Sequence, residues 1–166
     1  MVVFGITLYG MLVVGNRLFS SKHPMTWNGQ PYGELKLAWS RERATATIGD
    51  RQLELGRDRR FGDFYLAEGD RRWATADKPS ALTRRFHVLV SGRTFVLKRR
   101  SMVSSKFQLL DEAGNEIGEI RRRGFFSKSV YATIDPQLGF EAQLLVTWLA
   151  MLMWRRDEAN TAQSNA

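Results

Sequence analysis

Short runs in which apolar and polar residues alternate fill most of the chain between about Met25 and Ile134. In GELKLAWS, Leu35, Leu37 and Trp39 share one face while Glu34, Lys36 and Ala38 share the other. In RATATIG, Ala44, Ala46 and Ile48 alternate with Thr45 and Thr47. A period of two is that of a strand with one buried face. FHVLVSGRTFVLK sets Ser91-Gly92 between two such runs, a hairpin signal. FQLLDEAGNEIGEI repeats the arrangement around a longer turn at Asp111 to Asn115. Further turn signals stand at Asn28-Gly29, Gly49-Asp50 and Glu68-Gly69-Asp70. Turns at this density predict an antiparallel sheet of about ten or more strands. A sheet of that length curls, and closure into a barrel removes its exposed edges.

The pattern changes in DPQLGFEAQLLVTWLAMLMWRRD. Asp135-Pro136 is a helix start, with Pro suited to the first helical position. Arg155 and Arg156 close the apolar run, where positive charge complements the helix dipole. Between them Leu144, Leu145, Trp148, Leu149, Leu152 and Trp154 leave no polar side, and a helix apolar all round is buried on every side. From Leu144 to Trp154 such a helix spans only about 16 Å, against about 30 Å of bilayer hydrocarbon. The cover therefore has to be protein. The expected architecture is a closed antiparallel β-barrel, from about residue 30 to 134, enclosing a hydrophobic helix at about 136–154. The domain as a whole is expected over residues 25–156, and the polar tail at 157–166 is too poor in apolar residues to predict order.

A loose repeat fits this picture. KRRSMVSSKFQLLD (98–111) aligns with RRRGFFSKSVYATI (121–134), and RDRRFGDFYLAEGD (57–70) is a degenerate third copy. The offset matches two strands and their turns, so the repeating unit is a hairpin.

The strand order, the Arg-rich hairpins and the terminal LLVTWLAMLMWRRD helix together resemble the tubby C-terminal-like superfamily. Within it the chain is most similar to LURP-one-related proteins and small bacterial scramblase-like proteins. The resemblance covers about residues 30 to 157 and is best in LKRRSMVSSKFQLLDEAGNEIGEIRRRGFFSKSVYATID. It implies a barrel of about twelve strands around a central C-terminal helix. It also implies a connection to membranes, since tubby proteins bind phosphoinositide headgroups through basic side chains. Scramblases carry an acidic segment proposed to bind calcium, but the matching stretch YATIDPQLGFE has only Asp135 and Glu141 as carboxylates. A calcium site takes six or more oxygen ligands, so calcium does not carry over.

Composition narrows the chemistry. No cysteine is present, and His23 and His87 are the only imidazoles, so thiolate chemistry and a clustered zinc site are excluded. No Gly-x-Ser-x-Gly elbow, phosphate-binding Gly-rich loop or His-Glu-x-x-His occurs. Asp50, Asp58, Asp63, Asp70 and Asp77 sit in or beside turns, which explains them without catalysis. His87 lies opposite Phe86, Val88 and Val90, as a surface strand histidine does. The expectation is a non-enzymatic protein without cofactor or metal.

The net charge of +8 and pI near 10.3 favour an anionic partner. Lys98, Arg99, Arg100, Arg121, Arg122 and Arg123 are chemically suited to bind headgroups, the alternative for such groups being solvated strand ends that discourage aggregation. With the pairs Arg59-Arg60, Arg71-Arg72 and Arg84-Arg85, they are expected at both rims of the barrel. An anionic membrane surface is the favoured partner. A protein partner is the alternative, and nucleic acid is disfavoured because interleaved aromatic platforms are not evident. Residues 1–24 open with MVVFGITLYGMLVVGNRLF, uncharged before Arg17. Three readings stay open for them: a membrane anchor, an extra strand, or a start placed too early with Met25 as the true beginning. The expected location is cytoplasmic, peripheral to the inner face of the membrane or anchored there by the N-terminus.

Overall fold

The computed structural model describes residues 10–15, 20–59, 62–78, 85–101, 104–123 and 129–164. Twelve strands follow one another: β1 (Gly10–Val14), β2 (Lys22–Trp27), β3 (Gln30–Ala38), β4 (Arg43–Ile48), β5 (Arg51–Arg57) and β6 (Phe64–Glu68), then β7 (Arg71–Asp77), β8 (Arg85–Val90), β9 (Arg93–Arg99), β10 (Phe107–Leu110), β11 (Glu116–Arg122) and β12 (Val130–Ile134). Each pairs antiparallel with the next, and β1 pairs with β12 from Gly10↔Ile134 to Val14↔Val130 to close the barrel. The turn chemistry sits where expected. Asn28-Gly29 and Ser91-Gly92 place both central residues at positive φ, and Gly49 and Gly69 take positive φ ahead of Asp50 and Asp70. These are the tight hairpin turns that match strand twist.

Alternation decides which side chains enter the lumen. Leu35, Leu53, Leu66, Phe86, Val88, Leu97 and Ile120 are fully buried, while their polar neighbours face out. Twelve strands about 4.8 Å apart and tilted by about 40° enclose a circle of radius about 12 Å. A helix with its side chains takes a radius of about 5–6 Å. One helix and one layer of inward side chains therefore fill the space. That helix is α1 (Gly139–Ser164), buried from Phe140 through Trp154 except at Glu141 and Met151. Trp148 is fully buried and meets Phe64 edge-on at 5.8 Å. Small wall residues make room for the larger ones; Ala44, Ala46, Ala74, Ala76 and Ala132 all point inward. Thr147, the lone hydroxyl of the apolar run, bonds back to the Gln143 carbonyl at 2.6 Å. No helix among the described residues is long and apolar enough to cross a membrane.

Three boundaries differ from the sequence reading. The barrel wall begins at Gly10, not near residue 30 or at Met25. Leu12 and Val14 are buried within it, and without β1 the wall would stand open between β12 and β2. Of the three readings of residues 1–24, the strand holds for Gly10–Val14; residues 1–9 and 16–19, Arg17 among them, lie outside the described residues. At the helix start, Asp135 accepts a hydrogen bond from Gln137 N in a 3₁₀ turn (Pro136–Leu138), and α1 proper begins at Gly139. At its end, α1 does not stop at Trp154 but runs through the polar tail to Ser164. The tail is poor in apolar residues, and Asp157 and Glu158 tie it to the barrel rim by ion pairs.

Two outcomes follow for stability. Trp148→Ala should cost about 3–5 kcal/mol in denaturant unfolding, because the cavity lies at the centre of the core. Trp148→Asp should yield no folded soluble protein, since an unpaired buried carboxylate has no partner there. His23 provides a pH test. Burial holds its imidazole below the usual range, against the opposing pull of the Gly15 carbonyl and Glu34. The unfolded chain takes up a proton near pH 6.5 that the folded chain resists. Stability is therefore full above that pH and declines as pH falls below it. Thermal melts from pH 7.5 to about 5 should show the decline, and His23→Gln should flatten it. The carboxyls of Asp58 (beside Arg72) and Glu68 (beside Arg51) are held below their usual range, so their contribution is lost only at more acid pH.

Candidate functional site

An up-and-down barrel sorts its connections by parity. The segments after β1, β3, β5, β7, β9 and β11 all lie at one end, and α1, entering after β12 from the other end, emerges among them. The turns at the entry end carry acidic charges alone: Asp50, Asp70, Asp111, Glu112 and Asp135. The exit end is rich in Lys and Arg. Basic groups expected at both rims are thus gathered at one, because residues a hairpin period apart return to the same end. Arg71-Arg72 is the exception, and Arg72 reaches along the wall over Tyr65 to pair with Asp58. Arg60 and Arg84 lie outside the described residues.

Inside the exit mouth, alternation continues past the apolar core into arginine. On β9 the inward series is Phe95, Leu97, Arg99; on β11 it is Gly118, Ile120, Arg122; on β5 it is Leu53, Leu55, Arg57. The Arg99 side chain is only 11% exposed, stands over the Phe107 ring at 5.4 Å and pairs with Asp157. Arg122 stands over the Trp154 ring at 4.5 Å and donates to Glu158 at 2.6 Å. The equivalence of Arg99 and Arg122 is the structural content of the sequence repeat. Across the mouth, Glu42 accepts from Arg156 at 2.5 Å and faces Arg57 at 3.5 Å. Glu42 takes φ 49, the left-handed conformation usually left to Gly or Asn. The two cations it joins account for an acidic residue there. Burial, then the neighbouring Arg156 and Arg57, push the Lys78 ammonium below its usual range. Cations outnumber acids in this mouth.

Of the six residues singled out in the sequence, then, two point inward and four do not join them. Arg100 pairs with Glu116 and Glu119 on the outer wall, and Arg121 lies 4.0 Å from Glu119. Arg121 and Arg123 approach the Tyr131 ring at 5.7 and 6.0 Å. Lys98 sits directly across from Arg85 in the ladder. Two open clefts flank the emerging helix. One, of about 530 Å³, is lined by Arg99, Arg122, Ser104, Ser105, Trp154 and the tail acids. The other, of about 590 Å³, is lined by Arg41, Arg43, Arg57, Arg59, Trp39 and Glu42. Arg41 and Arg43 are exposed, with no carboxylate in ion-pair distance among the described residues. Arg41, Arg43 and Arg57 escaped the sequence reading, because arginines separated by other residues make no run, and Arg156 was assigned to the helix dipole alone. Continuing the inward alternation of β5 to its end would have found Arg57.

The carboxylates of the scramblase-like stretch are spent on structure. Asp135 caps the 3₁₀ turn, and Glu141 accepts from Arg51 at 2.8 Å beside the Arg51–Glu68 pair. Among the described residues no group of three or more His, Asp or Glu could hold a metal ion.

No family profile and no curated protein matches this chain. A solved structure does: the X-ray structure of the AT5G01750 protein from Arabidopsis thaliana, a LURP-one-related protein. The two share 13% identity with a TM-score of 0.55, over 93% of each chain. At that identity the similarity is one of fold, and it spans the barrel and its helix.

The Glu42 bridge supplies a direct test. Glu42→Gln should destabilise the fold by about 1–3 kcal/mol in denaturant unfolding, since Arg57 and Arg156 would face each other half-buried without their shared acid. Adding Arg156→Leu to it should recover part of the loss, and a double-mutant cycle reads the coupling.

Proposed function

We propose that this chain is a divergent LURP-one-related barrel that acts as a binding module, docking its helix-exit end on anionic phospholipid surfaces. The observation that carries the reading is the separation of charge along the barrel axis. One end presents Arg41, Arg43, Arg59 and Arg123 around a mouth lined by further arginines; the turns of the other carry Asp50, Asp70, Asp111, Glu112 and Asp135, which offset the strand-start cations Arg51, Arg71 and Arg93. Such a molecule orients in the field of an acidic leaflet with its basic end forward. Guanidinium suits the task, because its planar fork meets phosphate oxygens two at a time. The two clefts give headgroups somewhere to enter. The reading assigns no catalytic role, and its place is peripheral to a membrane face.

Vesicle co-sedimentation tests it. Binding is expected to anionic vesicles and not to neutral phosphatidylcholine, weakening as salt shortens the screening length. Arg41→Ala with Arg43→Ala should weaken binding about thirtyfold, at about 1 kcal/mol for each basic residue near the surface. Arg71→Ala with Arg93→Ala, an equal loss of charge at the entry end, should change it little. Equal effects of the two pairs would remove the orientation, and absence of binding at low salt would remove the lipid reading in favour of an acidic protein partner.

A further inference from the structure

Two acidic residues of the helix tail occupy two arginines of the mouth, Arg99 being its most buried among the described residues. Asp157 and Glu158 pair with Arg99 and Arg122, and with them line the 530 Å³ cleft. Among the described residues, nothing apolar holds the tail there. From Glu158 to Ser164 every residue is exposed, in contrast to the buried run that ends at Trp154. The tail is also a poor helix on its own terms. Its acids lie toward the negative end of the dipole, and Asn, Thr and Ser are weak helix formers. The Thr161 and Ser164 hydroxyls turn back to the carbonyls of Asp157 and Asn160. Arg99, in turn, is incompletely satisfied. Arg99 Nε is buried with no acceptor, although the same guanidinium donates to Asp157 through Nη2. Its stack on Phe107, like that of Arg122 on Trp154, keeps each guanidinium in place independently of the tail.

From this arrangement, and resting on the lipid-binding reading above, we infer that residues 157–164 are an acidic latch. Asp157 and Glu158 stand in for the headgroup phosphate of an anionic lipid in the Arg99–Arg122 cleft, and docking displaces them. A phosphate carries more acceptor oxygens than the single carboxylate oxygen Arg99 now meets, so it can use the vacant Nε as well. The Ser104 and Ser105 hydroxyls on the cleft wall add donors for it. Displacement leaves the core intact, because α1 is anchored through Trp154.

The test uses the full chain and vesicles of phosphatidylcholine with or without phosphatidylserine. Asp157→Asn with Glu158→Gln should tighten binding to the anionic vesicles about tenfold or more, the scale expected for two charges near the surface. Asp50→Asn with Asp70→Asn gains the same net charge at the entry end and should tighten it much less. Proximity to the membrane could favour the tail variant without any displacement, so a second readout decides. In the unmodified chain, amide hydrogen exchange across 157–164 should speed up when anionic vesicles are added, and exchange across Leu144–Trp154 should not. Vesicle binding with unchanged or slowed exchange in the tail overturns the latch and leaves the lipid reading standing. Binding by the tail variant but not by the unmodified chain supports the lipid reading; it supports the latch if Asp50→Asn with Asp70→Asn does not bind, and overturns it if that variant binds equally well. If neither the unmodified chain nor the tail variant binds anionic vesicles, both fall.

Discussion

A twelve-strand barrel cannot leave its lumen empty, and the fit between that lumen and one apolar helix is the constraint on which the rest depends. Water in so apolar a cavity would forgo its hydrogen bonds, and an empty one would forfeit the packing of every inward side chain. The helix in turn has no other place to go, being apolar on all sides and too short for a bilayer. Each part is unstable without the other. The demand reaches individual residues: alanines take several of the buried wall positions, and Phe64 meets both Phe86 and Trp148 edge to face. β1 completes the enclosure.

The same topology organises the charge. In a meander of antiparallel strands, position in the sequence modulo one hairpin decides the end of the barrel at which a residue appears. Basic residues at hairpin spacing therefore add up at one mouth instead of cancelling around the surface. Alternation then decides whether each lies inside or outside the wall. Arg99 and Arg122 fall inward, where aromatic rings and low solvent exposure restrict them; Arg100 and Arg121 fall outward, where Glu116 and Glu119 compensate them. Exposed pairs of the second kind contribute about 0–1 kcal/mol each. They affect the folding free energy little and lower the potential of the outer wall, which sharpens the contrast with the mouth.

The barrel was legible because period-two runs and turn dipeptides are local signals, and the helix because an apolar run of its length has few homes. β1 was not, since GMLVV is apolar at outward Met11 and Val13 as well as inward Leu12 and Val14, and so shows no alternation. The tail misled in the opposite sense: its composition predicts no order, and the arginines that tie it to the rim lie on strands far away in sequence. For the site, residue type was readable and arrangement was not. A triplet such as Arg121-Arg122-Arg123 reads as one patch, yet the pleat sends its members to different sides. Glu42 could not have been foreseen, because its role depends on a left-handed backbone position meeting Arg57 and Arg156 from two other elements.

One helix thus serves two regimes that change at a single residue. Up to Trp154, burial holds α1 in the lumen; beyond it, ion pairs from Arg156, Asp157 and Glu158 tie the chain to the rim. Trp154 belongs to both, packing edge-on against Phe107 at 5.4 Å while offering its face to Arg122. The electrostatic half can respond to salt without drawing on the core. A global stability of about 5–15 kcal/mol leaves little room for disturbing the packing, whereas contacts outside the core can change at small cost to the fold. Here the separation is built into the sequence as the step from LAMLMW to RRDE.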